Sequence, residues 1–187
     1  MSGPRARVLA VSASARHGFC KHRQDSIRLV AGLGVEGDAH AGATVQHLSR
    51  LRRDPSEPNL RQVHLLHAEL LDELAGHGYD VAPGRFGENI TTVGVPLLDL
   101  PAGTLVTVGD RADAAELQVT GLRNPCAQID DHIGSGVLKH VLRTRADGSV
   151  ERRAGVMAIV TRGGPVCPGD PLTITIPAEP HRPLAPV

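Results

Sequence analysis

Cys126 is placed among polar residues in the segment GLRNPCAQID, residues 121–130. Arg123, Asn124 and Gln128 crowd this thiol, and the segment follows an apolar run that is typical of a strand. A nearby guanidinium favours the thiolate, which is the form of cysteine that attacks electrophiles and binds soft metals. Free cysteines are also common as inert buried residues. The residues alone therefore leave two interpretations of Cys126 open, a reactive or metal-binding thiol and a structural one.

A second segment with polar side chains is PGRFGENITT, residues 83–92. Gly84 and Gly87 flank Phe86, so a tight backbone presents Arg85 and Asn89. These two side chains suit hydrogen bonds to an anionic or heterocyclic ligand. The alternative is a surface pair between Arg85 and its acidic neighbour ahead of a strand, which would add little to stability.

Two further segments complete the candidate chemistry. Residues 32–42, GLGVEGDAHAG, contain four glycines together with Asp38 and His40. Such a loop brings backbone N–H groups close to an anion or positions the two side chains at a site, and it can equally be a plain connection. Residues 17–21, HGFCK, carry Lys21, which suits a phosphate contact or a solvated loop. The segment contains no P-loop GK[ST] sequence.

Apolar or alternating runs of strand length recur between Gly, Pro and Asp residues, and they predict strands. We expect these strands to position the loops described above. The runs are Arg7–Ser12, Gln62–Leu66, Asn89–Val93, Thr104–Val108, Glu116–Leu122, Val156–Thr161 and Leu172–Ile176. A helical period predicts a helix over His67–Ala75, and a weaker one predicts a second over Gly136–Arg145. Residues 146–149 are expected to form an exposed hairpin tip.

The predicted fold is therefore a mostly β domain with one or two surface helices. Glycine and proline together make 35 of 187 residues, from 21 Gly and 14 Pro, which favours turns and short strands. A closed or nearly closed barrel would remove the sheet edges, although a sandwich gives the same sequence pattern. Residues 178–187 are expected to be a Pro-rich extended tail.

Composition excludes several classes of function. The formal net charge is zero, which argues against nucleic-acid and membrane-surface binding, and two Phe with one Tyr provide no base-stacking platform. No apolar run is long enough for a signal peptide or a membrane span, so we expect a cytoplasmic protein. Three widely spaced cysteines do not form a disulfide framework. Among the ten histidines, His64 and His67 are three apart and His17 and His22 are five apart, but there is no HExxH motif and no Cys/His cluster of finger spacing, so a zinc site is not expected. His77 and His140 are isolated in the sequence.

Taken in order, these segments resemble the MOSC domain family, which is named for the C-terminal domain of molybdenum-cofactor sulfurases. The resemblance covers residues 6–177 and is most similar to stand-alone bacterial members of the family. The matching pieces are Leu33–Asp38 with His40 and Gly42, Arg61–His64, Pro83–Gly84, Phe86–Ile90, Arg123 with Pro125 and Cys126, Gly163–Gly164 and Pro168–Asp170.

The resemblance implies a β-barrel that holds a molybdopterin-type molybdenum cofactor. It implies that Cys126 is the protein ligand to molybdenum and the catalytic residue, which fits the preference of that metal for sulfur ligands. The residues it implies for cofactor binding share polar or charged side chains: they are Arg123, Arg85, Asn89, Asp38, His40 and Lys21. The chain lacks the aminotransferase-like domain of the full sulfurases, and no pyridoxal phosphate site is recognised.

The implied activity is a two-electron reduction of N-hydroxylated or other N-oxygenated small molecules. A separate electron-donor reductase is expected, because the sequence shows no flavin, haem or iron–sulfur signature. One alternative is a sulfur-carrier or cofactor-delivery module that uses a persulfide on Cys126. A weaker alternative is a ligand-binding β domain without catalysis.

Overall fold

The chain is built mainly of β-strands, as seen in a computed structural model that describes residues 5–46, 52 and 54–187. The strands of this part are β1 (Arg7–Ala13), β2 (His22–Gln24), β3 (Ile27–Val30), β4 (Gly34–Val35), β5 (Val63–His67), β6 (Ile90–Val93), β7 (Leu105–Val108), β8 (Ala115–Leu122), β9 (Leu142–Thr144), β10 (Val150–Arg152), β11 (Val156–Arg162), β12 (Gly164–Val166) and β13 (Leu172–Thr175). All seven predicted strands are confirmed, each with ends within one residue of the prediction.

Eight strands form one sheet in the order β13-β7-β8-β11-β5-β6-β1-β2. Every neighbouring pair in it is antiparallel except β5 and β6, which are parallel. The helix α1 (Ala68–Gly76) joins that parallel pair, since parallel neighbours need a crossover. The strands β12, β3 and β4 form a second sheet, and β9 pairs with β10 in a third.

The start of β1 approaches the residues that precede β13, at the other edge of the eight-stranded sheet, but no continuous ladder joins them. Arg7 and Pro171 form an isolated bridge, and the amide of Val8 donates to the Asp170 carbonyl at 2.8 Å. Pro168 and Pro171 have no N–H group to extend the pairing there. The mostly β class is therefore confirmed, whereas a closed barrel is not.

Helices cover one side of the sheet. The prediction of α1 is confirmed within one residue, and its Leu70, Leu71 and Leu74 are buried. The predicted second helix is correct only over α3 (Leu138–Val141), because β9 starts at Leu142. Pairing of β9 with β10 across the predicted hairpin tip overrides the local helical preference there. The helix α2 (Gln128–His132) and a short 3₁₀ turn at Leu97–Asp99 were not predicted.

Two apolar clusters hold the fold together. The larger one lies between the faces of the curved sheet and contains Leu65, Ile90, Leu117 and Val156 among others. The smaller one packs α1 against α2, α3 and the fully buried Phe86. Because α2 follows Cys126 directly, the smaller cluster fixes the segment that carries this thiol.

The predicted Pro-rich tail contacts the sheet. The amide of Leu122 donates to the Ala185 carbonyl at 2.8 Å, and the amide of Val187 donates to the Leu122 carbonyl at 3.3 Å. The tail thus runs beside the end of β8, where the segment of Cys126 begins. In the described residues, no helix is both long and apolar enough to span a membrane.

Candidate functional site

A cavity of about 810 Å³ opens where the loops after β1, β8 and α1 meet. Five of the predicted site residues line it: Lys21, His40, Asn89, Arg123 and Cys126. Its other lining residues are His17, Gly18, Phe19, Arg52, Arg61, His64, Phe86, Gly87, Asn124, Gln128, His132, Met157 and Val187. The volume falls in the range of about 300–1,000 Å³ that is typical of small-molecule and cofactor pockets.

Cys126 is exposed at this cavity and is not sealed among aliphatic side chains. Its Sγ atom lies 3.8 Å from Oε1 of Gln128. Its carbonyl accepts a hydrogen bond of 3.0 Å from the amide of Ile129 in the first turn of α2. The thiol is therefore accessible, while its backbone is held by the helix and by the buried Pro125.

Arg123 brings a cation beside this thiol. Its amide donates to the Gly155 carbonyl at 3.0 Å, which extends the pairing of β8 with β11 by one residue. Its guanidinium carbon lies 5.5 Å from the centre of the Phe19 ring, within the range of a cation–π contact. Burial lowers the pKa of Arg123, and the nearby Cys126 opposes this shift.

The Nη1 atom of Arg123 is buried and has no hydrogen-bond partner in the described part of the chain. A buried donor without a partner is costly, and a charged one more so. An anionic group in the cavity would satisfy this donor.

Lys21, Asp38 and His40 form a hydrogen-bonded cluster at the wall of the cavity, in which Lys21 and Asp38 are buried. The ammonium of Lys21 donates to Oδ2 of Asp38 at 2.5 Å and lies 3.4 Å from Nδ1 of His40. The amide of His40 donates to Oδ1 of Asp38 at 2.9 Å. Burial on its own would raise the pKa of Asp38, but the hydrogen bond from His40 and the charge of Lys21 hold it well below its usual range. Asp38 thus stays ionised and keeps a counter-ion beside Lys21.

Asp38 itself lies behind the cavity wall, since it is buried and does not line the cavity. Burial lowers the pKa of Lys21, and Asp38 opposes that change. The structure therefore places Lys21 and His40 in the lining of the cavity, with Asp38 hydrogen-bonded to both of them from behind.

Asn89 uses its whole amide inside the protein. Its Nδ2 atom donates to the Ser12 carbonyl and to Oδ2 of Asp38, both at 3.2 Å, and its Oδ1 atom accepts from the amide of His64 at 3.2 Å. Both amide hydrogens are thereby used. Asn89 is at the cavity wall, and its hydrogen bonds connect β1, β5 and the loop that carries Asp38.

Glu88 organises the loop before Asn89. This fully buried carboxylate accepts from the amide of Gly84 at 2.7 Å, the amide of Phe86 at 3.1 Å and the Thr91 hydroxyl at 3.0 Å. Burial raises its pKa, against these hydrogen bonds. The acidic residue of the FGENI motif therefore shapes the loop from inside and does not face the cavity.

Gly84 and Gly87 allow the segment of Phe19 and Lys21 to approach this loop closely. Both glycines have positive φ, at 90° and 76°. A Cβ atom at Gly84 would lie 2.5 Å from the Lys21 carbonyl oxygen, and one at Gly87 would clash with the Phe19 carbonyl oxygen. Two glycines are required here because other residues would push the Lys21 segment away from the cavity.

Arg85 is the one predicted ligand-binding residue of this loop that does not reach the cavity. Its Nη2 atom donates to the His132 carbonyl at 3.3 Å, and its own carbonyl accepts a long hydrogen bond from the Cys20 thiol at 3.4 Å. The turn between Gly84 and Gly87 directs the side chain towards α2. Cys20 is likewise absent from the cavity lining.

His64 is a cavity residue that the sequence did not single out for ligand binding. It belongs to β5, and its Nε2–H group donates to the Ala154 carbonyl at 2.7 Å. Burial lowers the pKa of His64 well below its usual range, and the positive charge of Arg123 lowers it further, so its ring is neutral. In the sequence, His64 belongs to the segment Arg61–His64, which is one of the pieces that resemble the MOSC domain family.

Phe19 and His132 add a ring pair that the sequence also missed. Their centres lie 4.6 Å apart with planes 17° apart, and Nδ1 of His132 donates to the Gln128 carbonyl at 2.9 Å. Since Arg123 covers Phe19 as well, the pair connects α2 to the guanidinium. The two rings come from segments more than a hundred residues apart, so no local pattern could have paired them.

The charges of the cavity favour an anion. Its lining includes Lys21, Arg52, Arg61 and Arg123, and none of the described lining residues is Asp or Glu. Arginine suits phosphate through bidentate hydrogen bonds, and a thiolate suits a soft metal. An exposed thiol and an unsatisfied guanidinium donor in one cationic cavity therefore fit a cofactor that carries both a phosphate and a sulfur-bound metal.

Comparisons with known proteins agree with the fold. The sequence pattern that defines the MOSC domain matches residues 37–173. The YuaD protein from Bacillus subtilis superimposes with a TM-score of 0.71 at 21% identity, over 95% of this chain and 99% of that one. YiiM from Escherichia coli gives a TM-score of 0.57 at 22% identity, over 94% of this chain and 73% of that one. YiiM from Geobacillus stearothermophilus gives 0.57 at 17% identity, over 91% and 75%. A search of the curated proteins found no match.

Proposed function

The chain belongs to the MOSC domain family, and we propose that it binds a molybdopterin-type molybdenum cofactor with the Cys126 thiolate as protein ligand to the metal. The observation that carries this proposal is the pairing of an accessible thiol with an unsatisfied guanidinium in one cavity. Cys126 and Arg123 both line it, and Nη1 of Arg123 is buried with no hydrogen-bond partner among the described residues. A soft metal and an anionic group bound together would satisfy both.

Different residues of the chain would contact different parts of the cofactor. Arg123 and Lys21 supply positive charge for the pterin phosphate, and Asp38 with Asn89 keeps Lys21 in place. The neutral His64 adds a polar ring without adding charge. The Phe19 ring would help to hold Arg123 through the cation–π contact, and His132 stacks on the same Phe19 ring.

We propose further that the protein reduces N-hydroxylated or other N-oxygenated small molecules. When bound, the cofactor supplies a two-electron redox centre that takes oxygen from the substrate nitrogen. Reduction of an N–OH group to N–H consumes two electrons and two protons and releases water. The electrons would come from a separate reductase partner, which is a further part of the proposal. The protein residues bind, orient and exclude competing groups.

Metal analysis after expression in a host that makes the cofactor tests this proposal. We expect about one molybdenum per chain and reduction of an N-hydroxylated base with an artificial electron donor. The variant Cys126→Ser should lose that reduction while keeping its melting temperature. Cys167→Ser is the matched control, because Cys167 is outside the cavity lining. Reduction that survives Cys126→Ser would contradict the ligand role.

The exposure of Cys126 also favours a second candidate, a sulfur carrier with a persulfide on this residue. An exposed persulfide can reach an acceptor protein, and this function needs no bound metal. Mass spectrometry that finds one additional sulfur atom on Cys126, in protein without molybdenum from a cofactor-proficient host, would favour the carrier.

A further inference from the structure

Glu73, His77 and His140 come together on the surface although the sequence separates His140 from the other two. Glu73 is in the last turns of α1, and His77 directly follows that helix. His140 belongs to α3, and its ring centre lies 4.5 Å from that of His77 with planes 38° apart. One ligand atom from each of the three residues lies within 4.8 Å of the other two. His77 and His140, which are isolated in the sequence, are therefore neighbours in the structure.

We propose that these three side chains form a site for one divalent transition-metal ion of the zinc type. Two imidazoles and one carboxylate, with a position left for water, are a donor set that zinc uses in proteins. Zinc–ligand distances of about 2.0–2.2 Å place tetrahedral ligands about 3.3–3.6 Å apart. His77 is exposed, so its ring can make the small approach that this requires. None of the three residues lines the cavity of Cys126, so the site is separate from the proposed cofactor site.

Arg153 supports the site from behind. Its Nη1 atom donates to Oε1 of Glu73 at 2.9 Å and to the His140 carbonyl at 3.2 Å, and its Nη2 atom donates to Oε2 of Glu73 at 2.5 Å. One guanidinium thus fixes the carboxylate and the backbone of His140 together. Hydrogen bonds to ligands from such outer partners orient them and tune metal affinity.

Arg143 competes with a bound ion. Its Nη2 atom donates to Oε1 of Glu73 at 3.0 Å, and this oxygen already accepts from Arg153. Two guanidinium groups around one carboxylate leave the cluster with a net positive charge. Calcium and magnesium depend on carboxylate oxygens and are therefore disfavoured, whereas imidazole nitrogens retain their affinity for zinc, cobalt, nickel and copper.

Titration with zinc tests the proposal. The protein is the full chain without a histidine tag, carrying Cys126→Ser so that the cavity thiol cannot bind the metal. We expect one zinc per chain by calorimetry, and no binding of calcium or magnesium. His77→Ala and His140→Ala should each weaken zinc binding at least about tenfold, since even outer partners change metal affinity by about 10- to 100-fold. His22→Ala, at an exposed strand position, is the matched control.

Two further measurements make the outcome decisive. Cobalt should give visible d–d absorption without a sulfur charge-transfer band, and this absorption should disappear in the two histidine variants. Arg143→Gln should tighten zinc binding, because it removes the competing donor while Arg153 still holds Glu73. A parent protein that binds no zinc, or histidine variants that bind it as tightly as the parent, would overturn the proposal. Weaker binding in Arg143→Gln would overturn the assignment of Glu73 as a ligand.

Discussion

The side-chain amide of Asn89 and the carboxylate of Asp38 are joined by a hydrogen bond of 3.2 Å between Nδ2 and Oδ2, although 51 positions separate them in the sequence. The same Oδ2 atom accepts from the Lys21 ammonium at 2.5 Å. Asn89 therefore holds the Asp38 carboxylate in place, and this carboxylate in turn holds the Lys21 ammonium. The position of Lys21 in the cavity wall depends on this chain of contacts.

Asp38→Asn should destabilise the protein strongly. It leaves the Lys21 ammonium, whose side chain is 4% exposed, without its counter-ion. Loss of one partner of a buried ion pair costs about 3–5 kcal/mol, and we expect a loss of that order in urea unfolding. In the double variant Lys21→Met with Asp38→Asn, part of that stability should return. With the single variant Lys21→Met measured as well, a loss in the double variant equal to the sum of the two single losses would show that the two groups are not coupled.

Acid should remove the stabilising contribution of Asp38. Its folded-state pKa lies below the unfolded value of about 3.9, so its contribution is complete above that pH and is lost as the pH falls towards the folded pKa. Unfolding free energies measured from pH 5 downwards should fall less steeply below pH 4 in Asp38→Asn than in the wild type. Parallel curves for the two proteins would contradict this assignment.

Gly87→Ala should disturb the cavity through the segment of Phe19. An alanine Cβ would clash with the Phe19 carbonyl oxygen, in addition to the strain of φ at 76°. Gly32→Ala is the matched control, because its φ is 72° and nothing lies within 4 Å of the added atom. We expect Gly32→Ala to cost about 1 kcal/mol and Gly87→Ala at least about 2 kcal/mol, together with a loss of bound cofactor. Equal losses of stability in the two variants would contradict the predicted effect of the clash at Gly87.

Arg123→Met should change stability and ligand binding in opposite directions. The substitution removes a charged group whose Nη1 atom is buried and has no hydrogen-bond partner in the part of the chain that the structure describes, so the cofactor-free protein should gain about 1 kcal/mol. The molybdenum content should fall, because the cavity loses its unsatisfied cation. Arg152→Met, which removes an exposed hydrogen bond to Asn124, is the control and should leave the molybdenum content unchanged. A cofactor-free Arg123→Met protein that is less stable than the wild type would contradict the cost assigned to this donor.

The strands could be predicted because their signal is local. In β8, Leu117 and Val119 are buried while Gln118 and Thr120 are partly exposed, and this alternation is visible in the sequence. The segment 136–145 was partly misassigned because its second half is decided by pairing with Val150–Arg152, which is a non-local interaction. The strands β4 and β12, with two and three residues, are too short for a periodic signal.

The candidate site was predicted to the extent that its residues are close in the sequence. Arg123 and Cys126 lie three residues apart after one strand, and the structure brings both to the cavity. Lys21 and Asp38 were both singled out but not as partners, because their contact depends on the close approach at Gly84. Arg85 was expected beside Asn89, but a glycine turn directs it towards His132. The direction of such a side chain depends on the backbone conformation of its loop, which cannot be deduced from the type of one residue.

The contact of the tail with β8 should be sensitive to Gly121. An alanine there would clash with the Ala185 carbonyl oxygen, and its Cβ would lie 2.6 Å from Cγ1 of Val187. Through these clashes, Gly121→Ala should loosen the tail, lower the urea midpoint of unfolding and speed proteolysis after residue 178. Val187 also lines the cavity. In a chain shortened to residues 1–178, the same substitution should have almost no effect on stability, since the atoms that it would strike are gone. An equal effect in both chains would place the strain within the sheet and not at the tail.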